Sequence, residues 1–264
     1  MHYGELPPPE NLAHIIRCFW FLRGAGAGEV QPVVPDGRAE IVLHLGEPFG
    51  MVTGGGLARQ ADALISGQLT RPVYLGPLGG ADVVGIRFRT AAAGPALGIS
   101  MDTLRDHVVA IDDVMRGWRT RLLRAASGAA RPEARAARLA EVLAGRLSDR
   151  LDPVVSTASS RLSAGQAIAN LAADAGISER TLERRMHAAV GYSPRTLRQV
   201  MRFRRAFRAL EAGVPPARVA LDTGYHDQAH LTREFRRFAG APPAAFFQAQ
   251  PDLAAAMMSE PYKT

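Results

Sequence analysis

Residues 224–235 read Gly224-Tyr225-His226-Asp227-Gln228-Ala229-His230-Leu231-Thr232-Arg233-Glu234-Phe235, and Gly240-Ala241-Pro242-Pro243 follows. Upstream the chain runs Gly176-Ile177-Ser178-Glu179-Arg180-Thr181-Leu182-Glu183-Arg184-Arg185-Met186, then Gly191-Tyr192-Ser193-Pro194. Leu182 and Leu231, Met186 and Phe235, Gly191 and Gly240, and Pro194 and Pro243 are each 49 residues apart. The leading glycines are 48 apart, so the second copy has one extra turn residue. One such segment is a weak signal; two in register, with the same glycine and proline punctuation, are a strong one.

Each copy predicts helix, turn, helix. Ala167 to Ala175 places Ile168, Leu171, Ala172 and Ala175 at helical spacing, and Gly176 suits the left-handed position beyond a helix end. Ser178 is a good N-cap for a helix that buries Leu182 and Met186 and exposes Arg180, Glu183, Arg184 and His187. In the second copy Pro216 to Asp222 is the first helix, Gly224 breaks it, and Asp227 caps the next. That helix buries Leu231 and Phe235 and exposes Gln228, Ala229, Thr232, Arg233, Arg236 and Arg237. A helix fits the major groove of DNA with its N-terminal exposed residues against base edges. Arg pairs with guanine, Gln with adenine, and Ala or a Thr methyl with the thymine methyl. Arg180, Arg184, Gln228, Ala229, Thr232 and Arg233 hold such positions. Glu183 either accepts from cytosine N4 or pairs along its helix with Arg180 or His187. His230 reads as surface packing, and Arg236 and Arg237 as contacts to phosphate or water.

Between the copies the sequence predicts a helix over Pro194–Leu210, capped by Ser193, with Pro194 at its first position and Gly213 beyond its end. Leu197, Val200, Met201, Phe207 and Leu210 form its buried side. Arg195, Arg198, Arg202 and Arg205 recur on another side, where phosphates would be gripped. Helix starts at Ser193 and near Pro243 also offer backbone N–H groups to phosphate. Such a spacer suits two recognition helices about 34 Å apart, one turn of DNA.

The repeat resembles the DNA-binding domain of AraC/XylS-type transcriptional regulators, from about Leu151 to Gln248. The resemblance implies seven helices, with two recognition helices in successive major grooves on one DNA face. It also implies double-stranded DNA and RNA polymerase as partners, and it leaves open whether one chain binds or a homodimer. By position, the family's base readers fall on Arg180, Glu183 and Arg184, then on Gln228, Ala229, Thr232 and Arg233. One departure is Ala241-Pro242, where the family commonly has a serine before the proline; the missing hydroxyl removes one phosphate contact.

Charge agrees with this address. The 264-residue chain carries 32 Lys+Arg against 25 Asp+Glu, and Gly176 to Gly240 alone holds 13 arginines and 6 acids. That segment therefore nets +7, as does the whole chain, the electrostatic footprint of phosphate binding. A lone Cys18 argues against a disulfide framework or a Cys-rich zinc site. No apolar run approaches the roughly 18 residues of a membrane span, and the start lacks a signal-peptide pattern, so a cytoplasmic protein is expected.

Residues before about Gly94 read as β. Ile15–Phe21 is an apolar and aromatic run, and Arg38–Leu45 alternates loosely. Val83–Arg89 puts Val84, Ile86 and Phe88 on one face and Arg87 and Arg89 on the other. Turn signals separate them at Gly24-Ala25-Gly26, Pro35-Asp36-Gly37, Gly54-Gly55-Gly56 and Gly76-Pro77. Helices are expected over Asp112–Arg124 and Pro132–Leu147. In the second, Leu139, Leu143 and Leu147 form a stripe that serves either dimerisation or packing on its own domain. The fold class is therefore α+β. A β-barrel or jelly roll with flanking helices occupies 1–150, an all-α domain with two helix–turn–helix motifs 151–250, and a tail 251–264.

The first part is similar to the cupin-like sensor domains of one group of these regulators, through Val34-Pro35-Asp36-Gly37-Arg38 and Gly85-Ile86-Arg87-Phe88. The second segment departs from the family at Thr90-Ala91, where a proline is expected. Such domains bind a small effector or dimerise. Phe19, Trp20, Arg38, His44 and Arg87 are the candidate pocket residues, although Asp-Gly is first a turn signal and strand aromatics are first core. One rival is a regulator controlled by its abundance or by a protein partner. Another is a metal-dependent cupin-type enzyme with an appended DNA module. The latter needs clustered His and carboxylate ligands, and the β half offers His14 and His44 with no close pair, so neither metal, cofactor nor catalytic residue is expected.

Overall fold

A computed structural model describes residues 2–24 and 28–249. Part of the Gly24-Ala25-Gly26 turn and the 251–264 tail lie outside them. The first domain is built on a six-stranded antiparallel sheet. Its strands are β1 (His2–Leu6), β2 (Ile16–Gly24), β4 (Glu40–His44), β7 (Ala63–Ser66), β9 (Ala81–Phe88) and β10 (Val108–Ala110), in the order β1-β2-β9-β4-β7-β10. A smaller sheet carries β3 (Gln31–Val33), β5 (Gly50–Thr53), β6 (Gly56–Arg59) and β8 (Val73–Gly76), in the order β3-β8-β5-β6. Among the described residues, four α-helices and two short 3-10 turns, Glu10–Leu12 and Met101–Leu104, complete this domain; the α-helices are α1 (Ala93–Leu97), α2 (Ile111–Val114), α3 (Trp118–Ser127) and α4 (Pro132–Ala144).

The large sheet is covered on both faces. Phe19, Phe21, Ile41, Leu43, Ile65, Val84 and Ile86 share a core with Trp118, Leu122, Leu139 and Leu143 of the helices. On the other face Cys18, Trp20, Leu22 and Val83 pack with Phe49 of the smaller-sheet side. A strand buried on both faces has no reason to alternate polar and apolar residues. Every residue from Cys18 to Leu22 is accordingly buried. The same cover corrects the expected outward face of β9, because Arg87 is fully buried.

Two helix expectations are also revised. The helix expected over 112–124 is broken at Gly117, whose φ of 78° interrupts it, leaving α2 and α3. The helix from Pro132 stops at Ala144, and Leu139 and Leu143 are fully buried in their own domain. The leucine stripe is core, so it is not the surface of a dimer.

The second domain has seven helices among the described residues: α5 (Pro153–Ser163), α6 (Ile168–Asp174), α7 (Glu179–Val190), α8 (Pro194–Glu211), α9 (Pro216–Thr223), α10 (Gln228–Ala239) and α11 (Pro243–Gln248). Phe203, Phe207 and Phe235 pack against one another and against Phe238 and Phe246, mostly edge-on, at centroid separations from 5.1 to 6.0 Å. These rings tie α8, α10 and α11 together. No helix of the described residues is long and apolar enough to cross a membrane.

The two domains meet closely. Val34 and Ala91 of the first are buried in the core of the second. The Tyr192 hydroxyl donates to the Leu69 carbonyl. Gly191 and Gly240, which end α7 and α10 at equivalent points of the repeat, both abut the first domain. A Cβ on Gly191 would stand 2.7 Å from the Met101 carbonyl oxygen, and one on Gly240 1.9 Å from the Tyr74 hydroxyl. Gly94 on α1 leaves similarly little room, with 2.8 Å to the Ala188 carbonyl oxygen.

Candidate nucleic-acid interface

Both helix–turn–helix units form by the local chemistry their sequences carry. Gly176 and Gly224 take positive φ between the helices of each pair. Ser178 accepts from the Thr181 amide at 3.2 Å to start α7, and Asp227 accepts from the His230 amide at 2.6 Å to start α10. That hydrogen bond, followed by the one from His226, holds the Asp227 carboxyl below its ordinary value. Leu182, Met186, Leu231 and Phe235 are fully buried. Each helix is thus fixed by one face and leaves the other free.

Arg180, Glu183 and Arg184 are exposed on α7, as are Gln228, Ala229 and Arg233 on α10. Thr232 is half-buried, and its hydroxyl donates back to the Gln228 carbonyl at 2.9 Å. Glu183 lies 3.9 Å from His187 along α7, the intrahelical alternative for that residue. His230 packs edge-on against Tyr225 with ring centroids 5.2 Å apart. Arg236 and Arg237 are exposed near the end of α10.

The arginines of α8 divide. Arg195 and Arg198 are exposed, and Ser193 caps the helix by accepting from the Thr196 amide. Arg202, expected on phosphate, is instead held by Glu234 at 2.7 to 3.1 Å and lies 4.4 Å over the Tyr225 ring. Arg205, likewise expected on phosphate, donates to the Ser163 carbonyl at 2.6 Å. Both are drawn inward because α8 is packed on two sides, by α5 and by α9 with α10. Glu234 is a functional partner that no DNA-contact pattern in the sequence marks. Its signal was its place between Leu231 and Phe235 on the buried stripe, where a carboxylate needs a cation. A second such pair, Arg185 to Asp152 at 2.7 and 2.9 Å, ties α7 to the residue that caps α5.

The candidate pocket residues of the first domain scatter. Trp20 and His44 line a narrow, mainly apolar cavity of about 70 Å³ between the two sheets, with Phe49, Leu75 and Gln60. Burial pushes the His44 imidazole down to about 4. Neither of its ring nitrogens makes a hydrogen bond of ordinary geometry, although Gln60 faces it. Phe19 points to the opposite face of the sheet, into the helix-covered core. Arg87 lies in a buried ion cluster: it pairs with Glu40, reaches Glu5 at 3.0 Å and stands 4.0 Å from Asp36. Burial is the largest single influence and works against the Arg87 charge, but Glu40, Tyr3 and Asp36 together outweigh it and hold the guanidinium pKa up. Trp20 donates its indole N–H to Glu40 at 3.1 Å, linking cavity wall to ion cluster. Arg38 turns toward the second domain.

Residues 171–249 match a helix-turn-helix domain family, and residues 4–110 match a domain of unknown function, DUF6597. No curated protein matches the chain. Among solved structures, the C-terminal domain of AraT, a response regulator from Geobacillus stearothermophilus, is 21% identical with a TM-score of 0.36, over 38% of this chain and 88% of that one. A probable AraC family transcriptional regulator from Rhodopseudomonas palustris is 25% identical with a TM-score of 0.34, over 37% and 97%. ToxT from Vibrio cholerae is 8% identical with a TM-score of 0.47, over 86% and 97%.

Proposed function

We propose that residues 171–249, which match a helix-turn-helix domain family, are a DNA-binding domain of the AraC type, and that this transcriptional regulator reads its operator with α7 and α10 and is modulated by a small effector in its first domain. The observation that carries the reading is the pair of capped helices at equivalent points of the repeat, each with a fixed apolar face and a free polar one. Arg180, Glu183, Arg184, Gln228, Ala229, Thr232 and Arg233 are the proposed base readers. Ser193, Arg195, Arg198, Arg236 and Arg237 are the proposed phosphate contacts. Residues 1–150 sense and residues 151–250 bind. RNA polymerase and a second copy of the chain are the further proposed partners, and the cytoplasm is the compartment; sedimentation with and without DNA reads the assembly.

Selection of bound duplexes from a random pool tests the assignment. Two preferred segments should emerge about 10–10.5 base pairs apart, one for each recognition helix. Recovery of no preferred sequence would overturn it. For the effector, the cavity favours a small, mainly apolar compound with one group able to bond His44 or Gln60. A screen of such compounds should raise the melting temperature of the full chain, since a ligand selective for the folded state stabilises it. A regulator governed by abundance alone would give no hit.

A further inference from the structure

A second, chemically opposite hollow lies between the domains. It has a volume of about 350 Å³, and no carboxylate lines it. Arg17 enters from β2, Arg89 from just beyond β9, Arg38 from ahead of β4 and Arg204 from α8. Opposite them α5 presents Ser156, Ser159, Ser160 and Ser163. Their spacing, i, i+3, i+4 and i+7, is that of one helix face. Four guanidinium groups and four hydroxyls thus converge on one space, from both domains.

Arg17, Arg38 and Arg89 are incompletely matched. Arg38 has Asp36 at 3.5 Å, a carboxylate that also faces Arg87 at 4.0 Å. Arg89 donates through Nε to the Ala13 carbonyl, a neutral acceptor. Burial, and then the charge of Arg17, pulls the Arg89 guanidinium below its ordinary value. At Arg38 burial again leads, opposed by Asp36 and reinforced by Arg87 and Arg17. Arg17 Nε and Ser159 Oγ are both buried without a hydrogen-bond partner, and Ser159 is only 3% exposed. Buried polar groups are ordinarily satisfied, so donors left open around a cavity point to an acceptor that belongs there. Planar guanidinium forks suit the paired oxygens of a carboxylate or phosphate, and crowded cations favour more than one negative charge.

We propose that this cleft binds a small polyanion, a phosphorylated or polycarboxylate metabolite, which bridges Arg17 and Arg89 of the first domain to the serine face of α5. A ligand held by both domains would fix their mutual packing and so couple its own concentration to the placement of α7 and α10. The site is separate from the apolar cavity between the sheets and does not depend on any assignment of base readers.

The test uses the full chain without DNA, at constant ionic strength balanced with sodium chloride. Inorganic pyrophosphate and citrate are titrated by calorimetry and by thermal unfolding. At least one should bind saturably at one site per chain and raise the melting temperature, and whichever binds names the oxyanion class. Arg17→Gln with Arg89→Gln should weaken that binding at least tenfold, and Ser159→Ala should weaken it several-fold, with far-UV circular dichroism confirming that both variants are folded. Arg198→Gln, on the exposed side of α8, should leave it unchanged. Absence of saturable binding by either anion, or equal binding by the folded Arg17/Arg89 variant, would overturn the proposal. So would a loss in Arg198→Gln as large as in the pair, because the anion would then occupy the surface meant for DNA phosphates.

Discussion

Arg198 and Arg202 stand one turn apart on α8, yet Arg198 is exposed while Arg202 spends its guanidinium on Glu234. Replacing each with alanine should therefore read out differently. Arg198→Ala should leave stability intact, weaken binding to all sequences alike and reduce the salt slope by about one. Arg202→Ala strands the buried Glu234 carboxylate and should cost about 2 kcal/mol or more of folding stability in urea unfolding. Arg233→Ala should cost roughly 1–3 kcal/mol of DNA affinity and relax preference at one base pair; unchanged affinity and motif would show the register to be wrong. His44 carries a pH prediction. Its folded-state pKa is depressed to about 4 from 6.5, so the unfolded state takes up the proton first. Stability is then full above pH 6.5 and falls toward pH 4, by at most about 1.4 kcal/mol per unit. His44→Phe should flatten that part of a urea-midpoint series between pH 7 and 5. Among single residues, the free faces of α7 and α10 were legible because helical period separates Leu182 and Met186 from Arg180 and Arg184. The inward turn of Arg202 was not, because period cannot say that a helix is packed on two sides.

At the level of elements, caps and punctuation carried most of the information. Ser178, Ser193 and Asp227 cap the helices they were expected to cap, and Gly176 and Gly224 end the helices before them. Ser178→Ala should cost about 1 kcal/mol and fray the start of α7, visible as faster amide exchange there. The β half was less legible. With both faces of the large sheet covered, Cys18 to Leu22 reads as one apolar run, and Arg87 looks like an outward residue until Glu40 and Glu5 are placed around it. The role of α4 was open in sequence, since a leucine stripe serves a partner or a home core equally well. Its burial against β-strand side chains predicts that Leu143→Ala costs about 2–5 kcal/mol of stability, with no effect specific to self-association. A change in sedimentation at unaltered stability would contradict that.

Across the whole molecule, the change from β to helical period near Gly94 was legible except for the short strand β10 beyond it, but the depth of contact between the first domain and the helices from α5 onward was not. Val34 and Ala91 belong to the helical core, and Leu69 accepts from Tyr192. A fragment starting near residue 151 loses all three. It should select the same DNA motif as the full chain, melt at a lower temperature and show no response to ligands of the first domain. A fragment that melts no lower would mean that the interdomain packing contributes little to the helical fold. The glycines at this contact set terms for building chimeras. Where Gly94, Gly191 and Gly240 meet the opposite domain, the join is made by the absence of side chains. A foreign sensor grafted onto these helices, or foreign helices onto this sensor, would have to keep Gly94 and Gly191 bare, because they face backbone, while the Tyr74 side chain facing Gly240 can swing aside; transplanting the exposed readers of α7 and α10 alone would leave the join untouched.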